Sequence, residues 1–319
     1  MNILICSAGR RVKLVQYFKE ELNKLNGKVI AVDCDPTAAA LHHADHYEVV
    51  PRINQPEYID CLKALCNKYK INAVLSLIDP ELALLAGYKE EFESAGVKVI
   101  ISNRDVVNVC FDKYLTYQFL RDHQIPAVPT YTEIQEVLKD LENGDIDFPL
   151  IVKPQTGSAS IGIHKVDSLN ELRRYEAEQN NFIIQPFISG EEYGVDCYID
   201  MVKSEATHIF MKRKITMRAG ETDKSISVND PALKQLIEKL VLALKPVGPI
   251  DIDCFKTEEG YLVSEINPRF GGGYLHAHEM GFNFVMSIIT NLQGKPNDTK
   301  INDYKEGTTL VKFDNVILF

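Results

Sequence analysis

No apolar run in the chain approaches the length of a membrane span, so the sequence offers no transmembrane helix. No Cys-x-x-Cys is present. The seven cysteines, at 6, 34, 61, 66, 110, 197 and 254, are scattered and odd in number, which reads as reduced thiols and fits neither a zinc site nor a disulfide framework. Basic charge is in short supply: 35 Lys and Arg face 45 Asp and Glu, for a net charge of −10. Nucleic acid needs a basic face, so it is excluded as the main partner, while a local basic pocket for a nucleotide is not. The first turn holds Gly9 but no Gly-x-Gly-x-x-Gly, which leaves an NAD site poorly supported. No Ser-His-Asp or Cys-His arrangement, internal repeat or low-complexity segment stands out. The N-terminus, Met1-Asn2-Ile3-Leu4-Ile5-Cys6-Ser7, reads as a strand rather than a signal peptide, and a cytoplasmic location is expected.

What is present is an ordinary soluble mix, 45% hydrophobic and 25% charged over 319 residues, enough for two or three subdomains. Residues 2–6 and 29–32 read as strands around a helix that runs from the 7–11 turn to about residue 26, a βαβ opening with a parallel sheet. A helix follows over 58–69, with Ile59, Leu62, Leu65 and Cys66 on one stripe. Next come a strand over 73–78, a helix opened by Asp79-Pro80-Glu81 with Asp79 as its cap, and a strand over 97–102. Residues 1–103 thus form a doubly wound α/β domain. Arg10 and Arg11 stand at a helix N-terminus, which suits a substrate carboxylate or phosphate and suits a solvated helix start equally. His42, His43 and His46 are expected to face solvent.

A second unit opens with Asp112-Lys113 at the head of a helix to about residue 123. Residues 148–154 read as a strand that ends in Val152-Lys153-Pro154. The loop Gln155-Thr156-Gly157-Ser158-Ala159-Ser160-Ile161-Gly162 follows, small and glycine-bounded, able to fold over phosphates although it is not the P-loop pattern. Residues 182–188 form a strand out of this lobe. Val195, Cys197 and Ile199 then alternate with polar neighbours as a half-buried strand, with an antiparallel partner over 209–214. Arg213, Lys214 and Arg218 read in isolation as a solvated face and in a nucleotide cleft as anion binders. A helix over 233–244 precedes a hairpin of strands 249–255 and 260–266, which stands Asp253 beside Glu265.

The most informative stretch is Glu265-Ile266-Asn267-Pro268-Arg269, followed by Phe270 and three glycines, 271–273. Glu265 and Asn267 share one strand face, and their oxygens suit a hard cation such as Mg²⁺. Arg269 suits a transferring phosphoryl group, and the glycines suit close approach of backbone to a ligand. His276 and His278 fit substrate binding, base chemistry, or packing beside Tyr274. Residues 309–319 alternate and are expected to close a sheet.

These motifs, together with Gln185-Pro186-Phe187-Ile188 and Gly190-Glu191-Glu192-Tyr193, resemble those of ATP-grasp enzymes, nearest the carbamoyl-phosphate-synthase-like carboxylate–amine ligases. The resemblance implies an α/β fold, α+β in the ATP-grasp lobes. It implies a parallel-sheet pre-ATP-grasp domain over 1–103, a small lobe with the glycine loop over 104–186, and a C-terminal lobe with the Mg/ATP site over 187–319. It implies ATP and Mg²⁺ as cofactors, with Mn²⁺ as a substitute. Lys113 and Lys153 would contact phosphates, with Lys153 also near adenine and in a catalytic role. The loop with Gly157, Ser158, Ser160 and Gly162 would close over the triphosphate. Gln185 and the backbone around Phe187 and Ile188 would read adenine, Glu192 would hold the ribose, and Lys214 would add to the nucleotide site. Asp253, Glu265 and Asn267 would bind metal, and Arg269 would steady the phosphoryl group and acyl phosphate. Gln stands at 185 where many members have Glu, and Asp at 253 where several have Gln.

The expected reaction joins a small-molecule carboxylate to an amine or ammonia through an acyl phosphate, with no nucleic acid or membrane involved and a homodimer left open. Two alternatives stand beside it: a kinase-like enzyme that stops at a carbamoyl or acyl phosphate, and a non-catalytic nucleotide-binding regulator.

Overall fold

The computed structural model of the protein describes residues 1–157, 162–177, 181–301 and 303–319. Its first layer is a five-stranded parallel sheet of β1 (Asn2–Cys6), β2 (Lys28–Asp33), β3 (His46–Val49), β4 (Ala73–Ser76) and β5 (Lys98–Val99), ordered β3-β2-β1-β4-β5. β1 and β4 are almost wholly buried, because helices cover both faces of a parallel sheet and their apolar runs have no solvent side. Those helices are α1 (Val12–Asn23), α2 (Tyr58–Tyr69) and α3 (Asp79–Ser94). α2 buries the expected stripe of Ile59, Leu62, Leu65 and Cys66 and ends where Lys70 turns left-handed at φ 50°. β3 was not foreseen: its residues are mostly polar and half-exposed, as befits a sheet edge, so they carry little hydrophobic signal.

α4 (Arg104–Phe111) and α5 (Lys113–Asp122) follow, the second capped by the Asp112 carboxylate, which accepts from Tyr114 N and Leu115 N. Val106, Cys110, Leu120 and Ile125 pack into the core of the large sheet described next. A small lobe consists of α6 (Ile134–Asn143), β6 (Leu150–Pro154), β7 (His164–Val166), α7 (Leu169–Leu172) and β8 (Phe182–Pro186), with strand order β7-β6-β8. Its core holds Ile134, Val137, Leu150, Val152, Val166, Leu172 and Ile184.

The large lobe is a seven-stranded sheet of β9 (Glu191–Ile199), β10 (Ala206–Arg218), β11 (Glu221–Val228), β12 (Gly248–Thr257), β13 (Gly260–Asn267), β14 (Lys300–Ile301) and β15 (Thr309–Val311). α8 (Pro231–Leu244) covers one face, and α9 (Tyr274–Glu279) and α10 (Phe284–Leu292) lie beyond the other. β9 is not half-buried as expected. It lies between β12 and β10, and every residue from Tyr193 to Ile199 is buried. Tyr193, Val195, Cys197 and Ile199 pack beneath Leu233, Ile237, Leu240, Val241 and Leu244 of α8, each such side chain contributing roughly 1.5–3 kcal/mol. The C-terminal stretch pairs only over Thr309–Val311, because the turn-forming Asp314-Asn315 pair leads the chain off the sheet and leaves Phe313, Val316 and Leu318 exposed.

Candidate active site

Alternation along the strands of the large sheet sorts its two faces. One is apolar, as above. The other carries Gly194 and Asp196 on β9, Lys212 and Lys214 on β10, Asp251 and Asp253 on β12, and Glu265 and Asn267 on β13. Their register places Gly194 opposite Asp253 and Lys212, Asp196 opposite Asp251, and Asp253 opposite Glu265. Gly194 makes the face possible: a Cβ there would lie 3.2 Å from Lys214 Cε and 3.3 Å from Lys212 Cε, so both lysines cross the strand over it. Lys214 reaches Glu192 and Asp253, each at 2.7 Å. Burial alone would lower the Lys214 pKa, and those two carboxylates with Asp251 raise it instead. Lys212 and Asp196 form an ion pair that is 1% and 2% exposed, fully withdrawn from water.

Helix α5 and the small lobe supply the opposing cations, Lys113 and Lys153. Lys113 Nζ donates to Gly157 O at 2.9 Å, and Lys113 N donates to Gln155 O at 3.0 Å, which fixes the start of the glycine loop against α5. Gln155 in turn donates to Asp112 Oδ2 at 2.6 Å. Ser158 and Ser160 lie outside the described residues, and Gly162 is exposed. Lys153, from the end of β6, has its pKa lowered by burial and raised by Glu265, while Lys113 opposes its charge. The field therefore runs from Lys113 of α5 and Lys153 of the small lobe to the carboxylates of the large one. Glu265 has its pKa pushed up by burial and then by Asp253, with Lys113 and Lys153 pulling the other way. Two partly buried carboxylates facing each other, with the Asn267 amide on the same face, suit a hard divalent cation. Among the described residues no group of three or more His, Cys, Asp or Glu is placed to hold a metal, so further ligands would have to be amide, phosphate or water oxygens.

Arg269 is turned toward the N-terminal domain. Its Nη2 donates to Asp79 Oδ2 at 3.0 Å, and Nη1 lies 3.7 Å from Asp251 Oδ2. Asp79 is consequently not the cap of α3: Ile78 holds that position without a side-chain bond, and the charge of Arg269 draws the carboxylate away. Asp79 Oδ1 and Arg269 Nε are buried without a partner among the described residues. The glycines after Arg269 are closely approached as well. What approaches them is the protein's own charged layer: an added Cβ would meet the Asp251 carboxyl at 2.5 Å from Gly271, Glu221 Cγ at 2.6 Å from Gly272 and Lys212 Cε at 2.7 Å from Gly273.

Other expected residues have partners within the chain. Arg213 pairs with Glu191 at 3.2 Å, and Arg218 pairs with Asp223 and Asp314, so both belong to the surface reading. The Gln185 amide donates to Thr130 Oγ1 at 2.8 Å in a buried position, and Phe187 N donates to Pro149 O, which removes that N–H from recognition; Ile188 is half-buried beside it. His276 is buried against Phe210 with Nδ1 2.8 Å from Ser225 Oγ, and His278 stacks on Tyr17 at 3.6 Å with Nδ1 3.1 Å from the Tyr274 hydroxyl. His276 is thus buried and His278 half-buried, each against an aromatic ring. Burial, then Lys212, lowers the His276 pKa to about 4. The residues that sequence reading missed are Asp196, Lys212, Asp251, Asp79 and Glu221. A signal was available for three of them: along alternating strands Lys212 stands two residues from Lys214, Asp251 two from Asp253, and Asp196 four from Glu192.

A family model described as an ATP-grasp domain matches residues 110–273, and one described as a PylC-like N-terminal domain matches residues 3–100. A carbamoyl-phosphate synthase of Methanobrevibacter smithii is 25% identical over 297 residues, covering 87% of this chain and 77% of that one. A phosphoribosylamine–glycine ligase of Caldanaerobacter subterraneus subsp. tengcongensis is 23% identical, over 77% of this chain and 66% of its own length. In structure, the biotin carboxylase domain of the Hydrogenobacter thermophilus 2-oxoglutarate carboxylase superposes with a TM-score of 0.76 at 14% identity, over 96% of this chain and 73% of that one. The fold is thus a parallel-sheet domain followed by an ATP-grasp fold, and the match over just more than half of the chain makes this protein a member of the ATP-grasp family.

Proposed function

We propose that the protein is an ATP- and Mg²⁺-dependent carboxylate–amine ligase, of the type that forms a carbon–nitrogen bond. The observation that carries this reading is the facing arrangement of Lys113 from α5 and Lys153 from the small lobe against Asp253, Glu265 and Asn267 from the large one, with Arg269 beside them. The Hydrogenobacter domain was solved with ADP, its magnesium salt and bicarbonate, a nucleotide, a metal and a carboxylate-like anion of the kinds this face suits.

In this reading the units over 1–103, 104–186 and 187–319 bring acceptor, phosphate cover and metal face together. Lys113, Lys153 and the loop with Gly157, Ser158, Ser160 and Gly162 hold the triphosphate. Gln185, Phe187 and Ile188 border the adenine, through groups other than the Phe187 N–H, and Glu192 takes the ribose hydroxyls. Lys214 ties Glu192 to Asp253, so nucleotide and metal ligands share one cation. Asp253, Glu265 and Asn267 would hold the Mg²⁺, or Mn²⁺ in its place, which neutralises charge on the phosphates when bound. A carboxylate oxygen attacks the γ-phosphorus and the bond to ADP breaks. The amine nitrogen then attacks the acyl carbon, the proton it sheds passes to solvent, and inorganic phosphate leaves. Arg269 offers its guanidinium to the phosphoryl oxygens, and no nucleophilic side chain is needed. A cytoplasmic location belongs to the same reading, with a homodimer left open.

Hydroxylamine trapping tests it. The protein, Mg²⁺-ATP and hydroxylamine are incubated with amino acids, hydroxy acids and bicarbonate. ADP together with a hydroxamate is the expected result. Nucleotide binding without turnover on any acid would favour a regulator.

A further inference from the structure

Strand order β3-β2-β1-β4-β5 reverses direction between β1 and β4, and the crevice beyond the carboxyl ends of two such strands is where open α/β sheets take ligands. Both loops that border this crevice touch the segment carrying Arg269. Arg11, after β1, donates from Nη1 to Gly271 O at 3.0 Å, and Asp79, after β4, accepts from Arg269 at 3.0 Å. The crevice thus opens onto the proposed reaction centre.

Its β1 side is built of cations. Arg10, Arg11 and Lys312 all converge on a single carboxylate, Glu221, at 3.2, 3.3 and 3.0 Å. Three positive side chains share this one carboxylate, with Asp251 and Arg269, opposite in sign, also acting on Arg11, in a chain whose net charge is −10. Arg11 and Lys312 are 19% and 17% exposed, while Arg10, at 55%, remains open to an incoming group. Burial lowers the pKa of both Arg11 and Lys312, so their charges are held where water stabilises them poorly and an anion would stabilise them well. Lys312 also donates to Gly272 O at 2.8 Å, one residue from the carbonyl Arg11 holds.

Resting on the ligase reading above, we infer that the acid this protein activates carries a second anionic group, a further carboxylate or a phosphate ester, held by Arg10, Arg11 and Lys312 in the crevice while its reacting carboxylate lies toward Arg269. Glu221 orders the three side chains ahead of binding and competes with the ligand for them. Arginine presents paired donors that match either anion, so the group is specified by charge and planar or tetrahedral shape.

The test uses the full chain with Mg²⁺-ATP and hydroxylamine, and three sets of acids: acetate, glycine and lactate; succinate, glutarate and aspartate; 3-phosphoglycerate and phosphoserine. Turnover confined to the second or third set is expected, and which of the two responds tells carboxylate from phosphate. Arg10→Met and Lys312→Met should each raise the KM for that acid by about tenfold with the KM for ATP unmoved, and Glu221→Gln should lower it. Equal turnover of the one-anion acids, or an unmoved acid KM in both variants, overturns the inference. If no acid turns over, the ligase reading fails separately. Titration calorimetry with 3-phosphoglycerate and glutarate then decides: binding abolished in the Arg10→Met/Lys312→Met double variant sustains the anion site, and no binding to the wild type overturns it.

Discussion

The two faces of the large sheet are built by the same strands and behave as opposites. Val195, Cys197 and Ile199 point toward α8 and gain stability from burial. Asp196, one residue away, points to the other side and is as buried as they are, yet burial raises its pKa while Lys212, paired with it, and Lys214 pull the other way. Buried ion pairs roughly break even against apolar side chains of the same volume, so the charged face does not explain why the protein folds. Its cost is intelligible as pre-arranged charge around a site, where strongly perturbed carboxylates such as Asp251 and Glu265 gather. One face therefore sets stability and the other sets chemistry, and substitutions should separate the two.

The widest separation is between Glu265→Gln and Val195→Ala. Glu265→Gln removes a proposed metal ligand whose pKa burial already raises, so ADP formation should fall by about a thousandfold or more while the melting temperature holds or rises. Val195→Ala opens a cavity under α8 and should cost about 1–3 kcal/mol in urea unfolding with kcat retained. Full activity in the Glu265 variant would remove the metal assignment. Lys214→Met comes next and crosses the divide. It strands Glu192 and Asp253 without their shared cation, and since Glu192 is 33% exposed the loss should stay near the lower end for a broken buried pair, about 3 kcal/mol. The same variant should raise the KM for ATP, and calorimetry of nucleotide binding reads that effect apart from stability.

How much of this was legible in the sequence divides along similar lines. Helix α2, the β12–β13 hairpin and the Asp253–Glu265 pairing follow from periodicity and turn chemistry, because each is decided by residues close in the chain. The burial of β9 on both faces is not local: it depends on α9 and α10, some eighty residues on, closing over the second face. Asp79 reads as a helix cap until Arg269 arrives from the far end of the chain, and nothing local shows that Asp251, Glu221 and Lys212 stand against glycines 271–273. Residues that carry motifs, such as Glu265, Asn267 and Arg269, stand out along the chain, whereas Asp196, Lys212, Asp251, Asp79 and Glu221, which enter through tertiary charge contacts, do not.

His276 shows the charged face acting on stability through pH. Its folded pKa of about 4 lies below the ordinary 6.5, so between those values the unfolded chain binds the extra proton. Stability should therefore be full above about pH 6.5 and fall as pH drops through that window, by about 2 kcal/mol between pH 7 and 5 from this group alone. Urea titrations at the two pH values measure it, and His276→Gln should flatten the difference. An unchanged slope would mean that other groups dominate the acid limb.

The smallest effect sharpens the comparison most, because it contrasts neighbours on one strand. Glu192 and Tyr193 are consecutive on β9. Tyr193 turns to the apolar side and packs edge-on against Tyr261, with ring centroids 5.3 Å apart. Glu192 turns to the charged side, where Lys214 holds it at 2.7 Å. Glu192→Gln keeps shape and one hydrogen bond while removing the charge. Lys214 retains Asp253, so stability should barely move. If the carboxylate accepts from ribose hydroxyls as proposed, the KM for ATP should rise by about three- to tenfold, the worth of roughly 1 kcal/mol of a charge-assisted bond exchanged for a neutral one. Tyr193→Phe should leave that KM where it is. A shift in the tyrosine variant equal to that in the glutamine variant would mean that nucleotide affinity follows the general order of the strand, and the ribose assignment of Glu192 would fall.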